Sequence, residues 1–171
     1  MKKQKGFSLI ELLIVVAIIL IIAAIAIPNL LRAKISANEA SAVGSMRQIV
    51  TAEISYNAAG WTSGTSPLGF SAKLADLGPN GSTTSCSPPT ATQTCYLDAV
   101  LSGASTSSTA KSGYYFTYAP ITAGSLNTGF TVLGDPATPG QTGNRHFFTD
   151  ASGVIRFDPA AVATSSSNPL Q

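Results

Sequence analysis

Hydrophobic and polar positions change their spacing twice along the 171 residues. Residues 7–27 are apolar except for Ser8 and Glu11, and 12–27 is an unbroken apolar run. A stretch of ~20 apolar residues is long enough for a helix that crosses a bilayer. Pro28 follows. Beyond it Leu31, Ile35, Ala42, Met46, Ile49 and Val50 recur at three-to-four spacing, with Arg32, Lys34, Glu39 and Arg47 at other positions. That pattern predicts an amphipathic helix to about Ala58, with Gly60 as its stop. From Gly113 the period becomes two, and strands are expected at 114–118, 130–133, 146–149 and 154–157. Residues 150–153 read as a tight connection and 134–143, with Pro136 and Pro139, as a loop. The expected fold is α+β: a long N-terminal α-helix packed on a four-stranded antiparallel β-sheet head.

Between these patterns, residues 59–112 are rich in Ser, Thr and Gly and read as a solvated connecting loop. Only 70–77 shows a short helical pattern, ending at Gly78-Pro79. Residues 159–171 read as a small polar tail. Strand aromatics such as Tyr114, Phe116, Tyr118 and Phe130 are expected in the core and in cross-strand pairs. His146 is expected to be an ordinary strand residue.

Composition narrows the chemistry. Charged residues make up 11% and the net charge is +2, which disfavours a strongly basic nucleic-acid binder. The head's Lys73, Lys111, Arg145 and Arg156 are scattered, and no specific nucleic-acid partner is expected. One histidine and two cysteines exclude a multi-His metal site and a zinc ribbon. No nucleophile–base pair emerges, so neither enzymatic activity, nor a cofactor, nor a metal is expected.

Lys2, Lys3 and Lys5 precede the apolar run, which by the positive-inside rule keeps the N-terminus cytoplasmic. A cleaved secretory signal would need a shorter apolar core and a small-residue cleavage site. A plain membrane anchor explains the length but not Glu11, because a carboxylate at the bilayer centre costs about 2.5–3.5 kcal/mol on insertion scales. Glu11 needs a partner.

The stretch Lys5-Gly6-Phe7-Ser8-Leu9-Ile10-Glu11-Leu12-Leu13-Ile14 resembles the processing and methylation motif of bacterial type IV pilins and of the related type II secretion pseudopilins. The resemblance covers residues 1 to about 58. It implies that a prepilin peptidase cuts between Gly6 and Phe7 and that the Phe7 amine is methylated. It implies that Glu11 pairs with the Phe7 amine, first within one chain and then between neighbouring subunits, setting axial register. Pro28 falls where such helices kink. The head would be exported to an oxidising space, so a Cys86–Cys95 disulfide is expected. Many pilins place their disulfide nearer the C-terminus, a departure that bears on subtype.

The organisation that follows is a leader over 1–6, a membrane and filament-core half-helix over 7–28, and an amphipathic half-helix over 29–58. Then come the disulfide-bearing loop over 59–112, the sheet over 113–158 and the tail over 159–171. The resemblance implies a pilin: a precursor in the inner membrane, then a subunit of an extracellular filament. Its partners would be other copies of the chain, the peptidase, an inner-membrane assembly platform and, before assembly, the membrane. The rival is a periplasmic pseudopilin. A conductive filament or a DNA-uptake or adhesin subunit ranks lower, since aromatic content is an ordinary 8%.

Overall fold

A computed structural model of the chain describes residues 7–79 and 86–170. The expected leader over 1–6, with Gly6, lies outside the described residues. The chain divides into two compact units, Met1–Lys34 and Ile35–Gln171.

Helix α1 runs Leu9–Ala58. In the first unit its side chains are aliphatic on consecutive positions, and Leu9 through Ile22 are exposed around the whole circumference. It is long and apolar enough to cross a membrane. A surface helix of a soluble domain would instead confine its apolar residues to one stripe. Pro28 lies inside the helix. It has no N–H to give to the Ala24 carbonyl, yet the helical conformation resumes beyond it, as the downstream periodicity predicts. At the far end the Ala59 N–H donates to the Ser55 carbonyl and the Gly60 N–H to Asn57. Gly60 then turns the chain with φ +66°, a conformation glycine adopts without strain.

The second unit holds the core. From α1 it receives Ala42, Val43, Met46, Ile49, Ala52 and Tyr56, all buried. Glu39, expected to stand apart from the apolar stripe, is buried among them, as is Glu53; positions 39 and 53 both fall on the stripe's three-to-four spacing. Facing this stripe is an antiparallel meander of β3 (Tyr114–Ala123), β4 (Leu126–Pro136), β5 (His146–Asp150), β6 (Arg156–Asp158) and β7 (Asn168–Pro169). Alternation on β3 turns Tyr114 and Phe116 inward, and Phe130, Val132 and Phe147 join them. Tyr118 stacks on Phe130 at 5.9 Å. At Gly134 sheet and helix approach so closely that a Cβ would stand 3.3 Å from Met46 Sδ.

The sheet therefore has five strands rather than four. The fifth comes from the expected tail, where residues 168 and 169 pair with Phe157 and Arg156. Strand β4 also runs on into the expected loop, because Tyr114 and Tyr115 pair with Pro136 and Asp135. The last long strand begins at Arg156, two residues later than expected. The 150–153 connection forms as read: the Ser152 N–H donates to Asp150 Oδ1 at 2.9 Å, and Gly153 takes φ +74°.

The described part of the connecting segment is no solvated loop. Its first residues form a small hairpin of β1 (Thr62–Ser63) and β2 (Ser66–Pro67). A 3-10 turn, Leu74–Leu77, and a one-turn helix α2, Ala99–Ser102, deliver Leu74, Leu77 and Leu101 to the core, and Leu97 and Ala104 join them. Its backbone is tied down by Leu97 N–H to the Leu77 carbonyl at 2.8 Å and by Tyr56 O–H to the Ala91 carbonyl at 2.8 Å. Cys86 and Cys95 form the disulfide. Closing a loop of ten residues stabilises by about 2.5–3 kcal/mol in the chain-entropy model. Replacing both cysteines with serine is expected to cost roughly that much in denaturant unfolding of the head, with the same spectroscopic fold. A change below about 0.5 kcal/mol would show that the hydrogen bonds of the segment suffice without the bond.

Candidate functional site

The residues of the N-terminal motif meet at the first turn of α1. Ser8 is the residue before the helix, and its carbonyl accepts from the Leu12 N–H at 3.3 Å. The Ser8 N–H donates to Glu11 Oε2 at 2.9 Å. Glu11 thus stands at the third helical position and closes back on the cap residue, the glutamate half of a capping box. A carboxylate there also faces the positive end of the helix dipole. In the chain as it stands the Phe7 nitrogen is a peptide amide, and Glu11 is paired with the Ser8 N–H. The sequence reading linked Glu11 only to Phe7. The Ser-x-x-Glu spacing of residues 8–11 was the signal for the cap. Phe7 itself is 90% exposed.

The second unit is fastened to its stretch of α1 by two buried carboxylates. Glu39 Oε1 accepts from the Asn144 and Arg145 N–H groups at 3.0 and 3.2 Å, and Oε2 from Arg145 Nε at 2.7 Å. The Arg145 guanidinium lies 5.6 Å from the Phe147 ring centre and 5.5 Å from that of Phe157. Burial acts to raise the Glu39 pKa, but the Asn144 and Arg145 hydrogen bonds and the arginine charge outweigh it and hold the carboxyl below its ordinary range. Glu53, fully buried, accepts from the N–H and hydroxyl of Ser71. Tyr118 O–H and Asn127 Nδ2 meet the Ser71 carbonyl at 3.0 and 3.2 Å. Here burial wins, and the Glu53 pKa is raised.

The head's four scattered cations have intramolecular partners. Arg145 pairs with Glu39, Lys111 with Asp98 at 3.3 Å, and Lys73 lies 3.8 Å from Asp76. Arg156 Nη1 donates to the Ser167 carbonyl at 3.0 Å. His146 Nδ1 meets Asp135 Oδ1 at 2.6 Å across two adjacent strands. Among the described residues no group of three or more His, Cys, Asp or Glu side chains is placed to hold a metal ion.

Comparison with known proteins singles out the same end of the chain. Residues 1–27 match the model of the prokaryotic N-terminal methylation motif. The chain is 64% identical over 39 residues to the type IV wide pilus major component PilA4 of Thermus thermophilus, covering 23% of this chain and 30% of that protein. It is 44% identical over 54 residues to the type IV major pilin protein PilA of Myxococcus xanthus, covering 32% of this chain and 24% of that one. The chain thus spans less than a third of the length of the curated relatives it matches. No solved structure matches it. Over this N-terminal segment, with its capped Glu11 and its all-round apolar helix, the chain is similar to type IV pilins.

Proposed function

We propose that the chain is a structural subunit of a type IV pilus or pilus-like surface filament. The observation that carries this reading is the first half of α1, apolar and exposed on every side. Such a surface must be covered, by lipid before assembly and by the helices of other copies afterwards. The leader holds the precursor in the inner membrane with its N-terminus cytoplasmic. A prepilin peptidase cuts after Gly6 and the Phe7 amine is methylated. An assembly platform then moves the subunit into the filament, where Pro28 lets the helix bend or loosen. The chain works by packing rather than by catalysis. Both relatives carry names of pilus components, which favours a pilus over a secretion pseudopilus.

The test is mass spectrometry of filaments sheared from cells. The expected subunit begins at Phe7 with a methylated amine and carries the intact Cys86–Cys95 bond. A subunit that begins at Met1, or after Ala24 or Ala26, would overturn the processing step. A mature chain found only in the periplasm, with no surface filaments in electron micrographs, would favour the pseudopilin instead.

A further inference from the structure

Within the second unit α1 is bordered on two flanks. On one, Ala52 and its neighbours form a wall of an open groove of about 450 Å³, whose other wall is Tyr96, Leu97 and Asp98 of the connecting segment. On the other, the 150–153 turn reaches Val50, so that a Cβ on Gly153 would lie 3.6 Å from its side chain. Ala52 and Val50 are two residues apart in a helix of about 3.6 residues per turn, so they face nearly opposite ways. Groove and turn of one chain therefore cannot meet each other.

The two flanks are complementary in charge. Arg47 lines the groove and has no acidic partner among the described residues. Asp98, in the same groove, is already engaged by the Leu101 N–H at 2.7 Å and the Lys111 ammonium at 3.3 Å. On the turn, Asp150 Oδ1 accepts from the Ser152 N–H at 2.9 Å, and no cation pairs with this carboxylate among the described residues. Asp158, the next acid along, is taken up by the Ala160 and Ala161 N–H groups. Apolar surface accompanies each charge. Tyr96 is exposed on the groove side, and Val154 is exposed at the end of the turn, as is Ile54 one helical turn beyond Val50.

Two different, complementary faces on opposite flanks suit a heterologous contact, which repeats from copy to copy into a ring or a filament. We propose that the occupant of the groove is the 150–153 turn of a second copy of this chain. Asp150 of that copy stands against Arg47, and its Val154 against Tyr96. An exposed ion pair adds little attraction by itself. Its part is register and direction, because two copies joined groove to groove put Arg47 against Arg47.

This contact rests on the filament reading given above and is tested apart from it by cross-linking in cells. The chain's own cysteines are bonded to each other, so thiols introduced as Thr51→Cys in the groove and Ala151→Cys on the turn are the reactive ones. With both on one chain, mild copper-phenanthroline oxidation is expected to give a ladder of dimers, trimers and higher multimers on non-reducing gels. Neither single variant is expected to cross-link. Surface filaments without a ladder overturn this contact and leave the pilus standing. A ladder without surface filaments keeps the contact and removes the surface pilus, and the absence of both overturns both. Dimers from either single variant mark a two-fold contact and also overturn the proposal. The charges are tested without thiols. Arg47→Asp or Asp150→Arg alone is expected to lower filament yield about tenfold or more, and the two together to restore most of it. An undiminished loss in the double variant overturns the pairing of Arg47 with Asp150. Should Asp150→Arg fail to fold by circular dichroism, the cysteine pair still decides.

Discussion

Filament yield is expected to collapse when Glu11 is replaced by alanine, while leader removal and the folded head stay intact. In the single chain the carboxylate accepts from the Ser8 N–H. Losing that cap costs the helix about 1 kcal/mol, which a helix of 50 residues tolerates. The larger cost arises in assembly. On the proposed processing Phe7 carries a free cationic amine, and its proposed counter-charge inside a bundle of apolar helices is the Glu11 of another copy. Removing one partner of a buried ion pair costs about 3–5 kcal/mol, and in a polymer every subunit addition meets that cost. Glu11→Gln separates the two roles, since its amide oxygen still caps Ser8 but brings no charge to the amine. Both variants should therefore be cleaved normally, and both should assemble poorly in sheared-filament preparations. If Glu11→Gln assembles like wild type, the cap is what matters and the charge does not. If Glu11→Ala does so as well, apolar packing alone sets the register.

Glu53→Ala carries the largest expected effect on the head. The carboxylate is the acceptor for the Ser71 N–H and hydroxyl in a region sealed by Tyr118 and Asn127. Alanine leaves the Ser71 N–H without a partner, leaves the hydroxyl only the Lys73 carbonyl at 3.2 Å, and opens a void. At about 1–3 kcal/mol for each stranded buried donor, a loss of about 3–4 kcal/mol is expected from urea unfolding of the full chain in detergent, read by Trp61 emission. A loss below about 1 kcal/mol would show that the Ser71 segment holds without this joint. The pH dependence has opposite signs at the two buried glutamates. Burial raises the folded pKa of Glu53 above its ordinary 4.5, so the folded state holds the proton longer. Its contribution is greatest below 4.5 and declines as pH rises through the raised value. Glu39 is depressed in the folded state. Its contribution is present above 4.5 and is lost as pH falls through the lowered value. Glu53→Gln should remove the first trend and leave the second.

The sequence by itself determined what local physics can set. Sixteen consecutive apolar residues in 12–27 require a helix that lipid or other helices must cover, whatever the head does. Three-to-four spacing after Pro28 carried α1 to Ala58, and period two from Gly113 placed the central strands. The Ser8–Glu11 cap was missed, although both partners sit in one helical turn and the Ser-x-x-Glu spacing was there to read. What only the tertiary structure decided involves partners far apart in the chain. Glu39 read as standing apart from the apolar stripe because a periodicity scores a carboxylate as polar, although positions 39 and 53 both fall on its three-to-four spacing. They are buried because Asn144 and Arg145, and Ser71, arrive from other elements with donors that compensate the lost water. The last two-residue strand, Asn168–Pro169, has no pattern of its own and exists only because β6 offers it an open edge. The same holds for the Ser- and Thr-rich connecting segment. Outside the short pattern of 70–77 its leucines are too sparse to show a period, and their burial depends on the helix and sheet already being there to receive them.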